Sequence, residues 1–352
     1  MTETHGVCAD RFGDVRAALA TSLDKDGGGA SVAVFLDGEP VVDLWGGYTD
    51  ADRTTPWGRD TITNVWSTTK TMTALCALVL ADRGEIDLDA PVARYWPEFA
   101  AKGVLVRHVL SHTAGLSAWD VPLTVEDLYD AEAVSALLAA QEPSTKPGEQ
   151  ASYHALTQGF LIGEVVRRVT GRSLSAFFAE EVAGPLGADF HIGVPAEHDH
   201  RIAPVIPPAQ VGDDALFSKE SNPPVRPEDA NTTAWRRAEI PSVGGHGNAR
   251  SVAAIQSMLV GGLLSDKTRA RAAEEQFSGV DSHLGVPMRW GLGYSLNGST
   301  LSWGGWGGSM VLVDPDTRLT VAYVMNRMLE QGPLGDDRAL GMVMAAYSGL
   351  TA

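Results

Sequence analysis

The segment Asn64-Val-Trp-Ser67-Thr-Thr-Lys70 places a hydroxyl and an amine three residues apart, immediately ahead of an apolar run. In the first turn of a helix that spacing puts both side chains on one face, within touching distance. The chemistry it suits is nucleophilic catalysis. A serine hydroxyl becomes a nucleophile when a neighbouring base takes its proton, and a lysine is such a base only with a lowered pKa. Burial and the positive end of a helix dipole both disfavour the ammonium, so Lys70 is pushed in the required direction. Taken alone, the tetrad reads more readily as a serine N-cap followed by a solvated lysine. Tyr153 alone reads as a buried aromatic, and Trp303-Gly-Gly305 as a glycine-rich turn.

Other residues could carry chemistry too. His198-Asp199-His200 has metal-ligating types, but it lies among Pro, Glu and Asp, and a solvated loop is the simpler expectation. His112, in Ser-His-Thr-Ala-Gly, is expected to shape a turn. His246 sits between glycines in Val243-Gly-Gly-His-Gly-Asn248, which permits close approach to a ligand, and it is a candidate for lining a cleft. No Gly-x-Ser-x-Gly elbow is present.

The elements that must position these residues follow from periodicity. Ser31–Leu36 and Val41–Trp45 flank Asp37-Gly-Glu-Pro40, which predicts a hairpin. Gly308–Val313 and Leu319–Met325 flank Asp314–Arg318, with a further strand around Thr300–Trp303 and a helix over Ala339–Tyr347. Between these ends the period turns helical, over Thr71–Arg83 before Gly84, Ala131–Ala140, and Thr157–Val169 before Gly171. The Pro-rich stretch Ala203–Arg226 reads as loop. If the two strand sets pair, residues 1–60 and 290–352 form one layer. Residues 61–289 then form a mostly helical insertion, with the site in the cleft between them. The apolar run after the tetrad, with Met72, Leu75, Cys76, Leu78 and Val79, covers most of a helix circumference, as in a central buried helix. A lysine at its mouth is not simply solvated.

With 352 residues, 44% of them hydrophobic, the chain can bury a sizeable core. A net charge of −17 repels phosphate backbones and anionic headgroups, so neither nucleic acid nor a membrane surface is an expected partner. No stretch reaches the roughly 18 apolar residues of a spanning helix, and the N-terminus lacks the pattern of a secretory signal. A cytoplasmic protein, monomer or homodimer, is the expectation. Cys8 and Cys76 suggest neither a disulfide framework nor a cysteine metal site.

Four motifs in order now carry a resemblance: Ser67-Thr-Thr-Lys70, then Val109-Leu-Ser-His112-Thr-Ala-Gly115-Leu, then Pro147-Gly148 before Tyr153-His-Ala, then Trp303-Gly-Gly-Trp-Gly-Gly-Ser309. Together they resemble the serine β-lactamase and penicillin-binding-protein superfamily. Within it, the chain looks most like the family VIII carboxylesterases, relatives of class C β-lactamases. The fold this implies is α+β: an antiparallel sheet flanked by the N- and C-terminal helices, with a mostly helical inserted domain. It further implies Ser67 as the acylated nucleophile, Lys70 as its partner, and Tyr153 as a proton carrier coupled to Lys70. The oxyanion hole would use the main-chain N–H of Ser67 and of Trp306, with Trp303, Gly304 and Gly305 on the strand edging the cleft. No metal or organic cofactor is implied.

Two departures bear on substrate. Ala155 stands where lactamases have asparagine, and Trp303 stands where they have a lysine that would pair with the β-lactam carboxylate. Both favour small or medium apolar esters. The alternatives are an acyltransferase on the same scaffold, a β-lactamase or D-aminopeptidase, or a binding protein that has kept the scaffold without its chemistry.

Overall fold

A computed structural model describes residues 2–208, 221–329 and 336–351. Residues 209–220, within the segment read as a Pro-rich loop, lie outside the described residues. In chain order the strands are β1 (Thr4–Cys8), β2 (Gly29–Leu36), β3 (Glu39–Gly47), β4 (Thr63–Asn64), β5 (Phe190–Ile192), β6 (Gly245–Gly247), β7 (Phe277–Val280), β8 (Pro287–Trp290), β9 (Ser295–Asn297), β10 (Thr300–Gly304), β11 (Met310–Asp314) and β12 (Leu319–Met325). Nine of them form one antiparallel sheet in the order β1-β3-β2-β12-β11-β10-β9-β8-β7.

The predicted hairpin is β2–β3, paired from Gly29 opposite Gly47 to Leu36 opposite Glu39 with a bulge at Val34/Phe35. The join between the two ends of the chain is β12 on β2, with Leu319 opposite Leu36 and Met325 opposite Ala30. These central strands are buried at nearly every position. That explains why they read as unbroken apolar runs, since both faces of the sheet are covered. The helices Gly13–Asp26 and Asp337–Thr351 pack together on one face, where Ser22 meets Tyr323. The helix Ala249–Gln256 covers the other, its first N–H donating to Ser31 Oγ at 3.1 Å. Tyr323 and Ser31 lie on opposite faces because Tyr323 pairs with Val32, the next residue along β2. The α+β expectation of a sheet flanked by the terminal helices therefore holds.

The strand inventory goes beyond what periodicity predicted. The sheet takes in β7 and β8, which begin before residue 290. They are four residues each and half exposed, so they carry too little alternation to register as strands. Within 61–289 a second sheet, β4-β6-β5, is built from strands of two or three residues.

Helix Thr69–Asp82 runs through the centre of the molecule, buried at every position from Thr69 to Leu80. Its polar residues need internal partners. Thr69, Thr71 and Thr73 donate to the carbonyls of Trp66 (2.6 Å), Thr68 (2.7 Å) and Pro241 (2.6 Å), which leaves no buried hydroxyl in the helix unsatisfied. Helix Thr157–Thr170 ends at Gly171, φ +72°, as its sequence predicts.

Candidate active site

Local chain chemistry delivers Ser67. The Asn64 side chain accepts from the Trp66 N–H at 3.0 Å, closing a turn at the end of β4. Trp66 then takes φ +49°, a conformation costing a bulky residue about 1–3 kcal/mol. Packing holds it there: its ring lies 5.6 Å from that of Trp235 and 5.0 Å from that of Trp306. Trp66–Thr68 is a single 3₁₀ turn feeding the central helix. Lys70 follows in the first turn of that helix, three residues after Ser67 and so on the same face.

Ser67, Lys70 and Tyr153 are 2%, 1% and 0% exposed, and they come together. Lys70 Nζ lies 3.1 Å from Ser67 Oγ and donates to the carbonyls of Ala155 at 2.6 Å and Ser242 at 3.1 Å. It sits 4.9 Å from the centre of the Tyr153 ring. Burial holds the Lys70 amine well below its ordinary pKa. A neutral amine has two N–H groups and one lone pair. With the two carbonyls taking N–H groups, such an amine would turn its lone pair to Ser67 Oγ, where an ammonium would donate a third N–H.

Burial drives the Tyr153 phenol above its ordinary value, opposed by its hydrogen bonds to Ser67 and Trp303. Trp303 Nε1 donates to Tyr153 Oη at 3.2 Å. Trp303 lies on β10 and turns its indole N–H to the phenol.

The histidines near Tyr153 hold backbone. His112, φ +60°, accepts the His154 N–H on Nδ1 at 3.1 Å, and His154 accepts the Leu116 N–H on Nε2 at 3.3 Å. Burial lowers both, His154 to about 4, so they act as neutral acceptors.

The loop after β10 closes on the nucleophile turn. Ser309 donates to the Val65 carbonyl at 2.7 Å and lies 3.0 Å from Thr68 Oγ1. Gly305 has no room for a side chain: a Cβ there would stand 2.1 Å from Val65 O and 2.4 Å from Ser309 Oγ. Gly305→Ala is therefore expected to cost about 1–3 kcal/mol and to lower ester turnover roughly tenfold by displacing this loop. Thermal melts and steady-state kinetics check it.

His246 is placed on β6, opposite Asn64 and His191, with its Nδ1 3.0 Å from the Gly244 carbonyl. Burial lowers it to about 4. Among the described residues no hydrogen bond or ring contact joins it to Ser67, Lys70 or Tyr153. Its glycine neighbours admit Phe190, which a Cβ at Gly245 or Gly247 would strike. His198-Asp199-His200 lies in the 3₁₀ segment Ala196–Arg201, with Asp199 paired to Arg237. Among the described residues no cluster of three His, Cys, Asp or Glu could hold a metal, and no helix is long and apolar enough to cross a membrane.

Sequence reasoning missed Ser242, Ser309 and Asp281. Ser242 supplies Lys70 with a carbonyl, while its hydroxyl accepts from the Gly159 N–H at 2.8 Å and donates to Leu156 O at 2.6 Å. No motif marks it.

Known proteins share this fold over nearly the whole chain. The structure is similar to the crystal structure of a family VIII carboxylesterase, with a TM-score of 0.93 and 42% identity, covering 99% of this chain and 100% of that one. In sequence the chain is 35% identical to the esterase/beta-lactamase LipL of Mycobacterium tuberculosis, over 92% of this chain and 83% of LipL. It is 29% identical to the esterase EstB of Burkholderia gladioli, over 87% and 88%. The Beta-lactamase family model matches residues 15–343. By its fold and by that match, this chain belongs to the beta-lactamase family.

Proposed function

We propose that this chain is a serine carboxylesterase that hydrolyses small or medium apolar esters through an acyl-enzyme on Ser67. The observation that carries the reading is the buried Lys70 amine, 3.1 Å from the Ser67 hydroxyl and donating to the carbonyls of Ala155 and Ser242.

The neutral amine takes the Ser67 proton, directly or through Tyr153, as Oγ attacks the ester carbonyl. Main-chain N–H groups of Ser67 and Trp306 would receive the developing oxyanion. The alcohol leaves with the proton, and water enters. The Lys70–Tyr153 pair then takes a proton from that water and releases the acid, regenerating Ser67. Substrate would enter between the part of the chain that carries Ser67 and Tyr153 and the end of β10 that carries Trp303. That strand end, Trp303-Gly304-Gly305 with Trp306 beyond it, offers indole faces and no cation. The names of LipL, EstB and the family VIII carboxylesterase support ester chemistry.

Two measurements test this. A fluorophosphonate is expected to add one label, mapped by peptide mass spectrometry to Ser67. With no cation to pair it, a β-lactam carboxylate loses about 3 kcal/mol. A p-nitrophenyl butyrate assay should therefore run at least about 100-fold higher in kcat/KM than a chromogenic cephalosporin. A label elsewhere removes the nucleophile assignment; equal cephalosporin turnover removes the substrate assignment.

A further inference from the structure

Four N–H groups converge on one carboxylate behind Tyr153. Asp281 is fully buried in the turn between β7 and β8. Its Oδ1 accepts from the main-chain N–H of Tyr153, His283 and Leu284, each at 3.0 Å, and its Oδ2 from the Trp290 indole at 3.1 Å. Every partner donates, which is the complement of a carboxylate, a group that only accepts. Burying a charge is costly unless it is fully hydrogen-bonded, and closing a turn does not require one. What this carboxylate joins is the site.

Asp281 reaches the phenol along two routes. One bond fixes the Tyr153 main chain. The other fixes Trp290, whose ring is parallel to that of Tyr153 (6.1 Å between centres, 5° between planes) and 4.9 Å from that of Trp303. Trp303 in turn donates to Tyr153 Oη. We propose that Asp281 is a positioning residue for ester hydrolysis, registering the Tyr153 phenol against Ser67 and Lys70 and setting a fixed negative charge behind it. This rests on the reading of Tyr153 as proton carrier.

The charge has a direction of effect. The titratable groups facing Tyr153 are Lys70, His112 (ring centres 4.8 Å apart), His283 (6.1 Å), its chain neighbour His154 and Asp281. Asp281 opposes ionisation of the phenol. Removing its charge therefore moves that ionisation to lower pH.

The experiment is Asp281→Asn assayed with p-nitrophenyl butyrate across pH, beside Tyr153→Phe and the combination of the two. In Asp281→Asn the amide oxygen can still accept from the three main-chain donors, but its NH₂ then faces the Trp290 N–H, donor against donor. Adding Trp290→Phe relieves that clash without restoring the charge. The expected result for Asp281→Asn is a kcat lower by about 10- to 100-fold at nearly unchanged KM, with the alkaline limb of kcat moved acidward. Adding Trp290→Phe should recover the melting temperature but leave the limb displaced, and Asp281→Asn should add no loss in the Tyr153→Phe background.

Unchanged kcat and limb in Asp281→Asn, with Tyr153→Phe inactive, overturns the proposal. So does an equal loss in the Tyr153→Phe background. Wild-type turnover in Tyr153→Phe instead removes the underlying role of Tyr153, a separate failure. If Asp281→Asn does not fold in either form, Trp290→Phe alone carries the test. It should lose about tenfold in kcat at constant KM with the limb in place, and wild-type kcat there overturns the proposal.

Discussion

Replacing Ser67 by alanine should lower kcat for p-nitrophenyl butyrate by about 10⁴- to 10⁶-fold while the protein melts as before. The effect is large because, on the proposed mechanism, the Ser67 oxygen forms the acyl bond, and among the described residues the neighbouring aliphatic hydroxyls of the same turn are engaged elsewhere. Thr68, the nearest alternative, is engaged with Ser309, and Thr69 and Thr71 donate to main-chain carbonyls within the same turn. The fold should tolerate the change, since Ser67 Oγ holds no main-chain group in place. Fluorophosphonate labelling should vanish with turnover. Retained turnover in Ser67→Ala would move the nucleophile elsewhere and leave the geometry of the Lys70 amine without a purpose.

Lys70→Met keeps length and apolar volume and removes the base. A loss of about 10³- to 10⁴-fold in kcat is expected, within the range for a positioned general base. Stability has two opposing contributions. The carbonyls of Ala155 and Ser242 lose their donor, at about 1–3 kcal/mol each, while an amine no longer has to be buried. The pH profile separates chemistry from packing. On the proposed mechanism the working form is the neutral amine, so activity should rise with pH through the Lys70 ionisation and be lost as the amine protonates on acidification. Because burial lowers that ionisation, turnover should persist to lower pH than an ordinary lysine would allow. An acid limb that persists unchanged in the residual activity of Lys70→Met would assign the limb to another group.

Much of this arrangement was legible in the sequence, and the limits have physical causes. The tetrad from Ser67 to Lys70 is local, so spacing alone predicts contact. The β2–β3 hairpin and the long helices declare themselves through turn residues, period and caps. The central strands also declare themselves, as apolar runs. Tyr153 became a site residue only through its company, because a tyrosine between a serine and a histidine has no local signature. Asp281 and Ser242 had no signal at all. Each acts through groups brought from distant parts of the chain, and a lone Asp or Ser in a loop looks like any other. β4, β5 and β6 are too short to show a period, yet β6 takes the Val65 N–H on its Gly245 carbonyl at 2.9 Å, and its Gly245 N–H reaches Thr69 Oγ1 at 2.9 Å. The glycines around His246 suggested approach by a ligand, whereas the group that approaches them is the ring of Phe190. Close packing and ligand access leave the same mark on a sequence.

The pairing of β2 with β12 gives the enzyme a timetable. Ser22 meets Tyr323 across 301 residues of chain, and the Ser309 hydroxyl that grips the nucleophile turn arrives 244 residues after Val65. At a synthesis rate of roughly 5–20 residues per second, the first strands wait roughly 15–60 s for their partner. During that interval Ser67 exists without the loop that braces it, and Tyr153 without Trp303. A nascent chain therefore carries Ser67 without its brace until β10 and the loop after it have been made, and on the proposed mechanism hydrolytic competence waits for them.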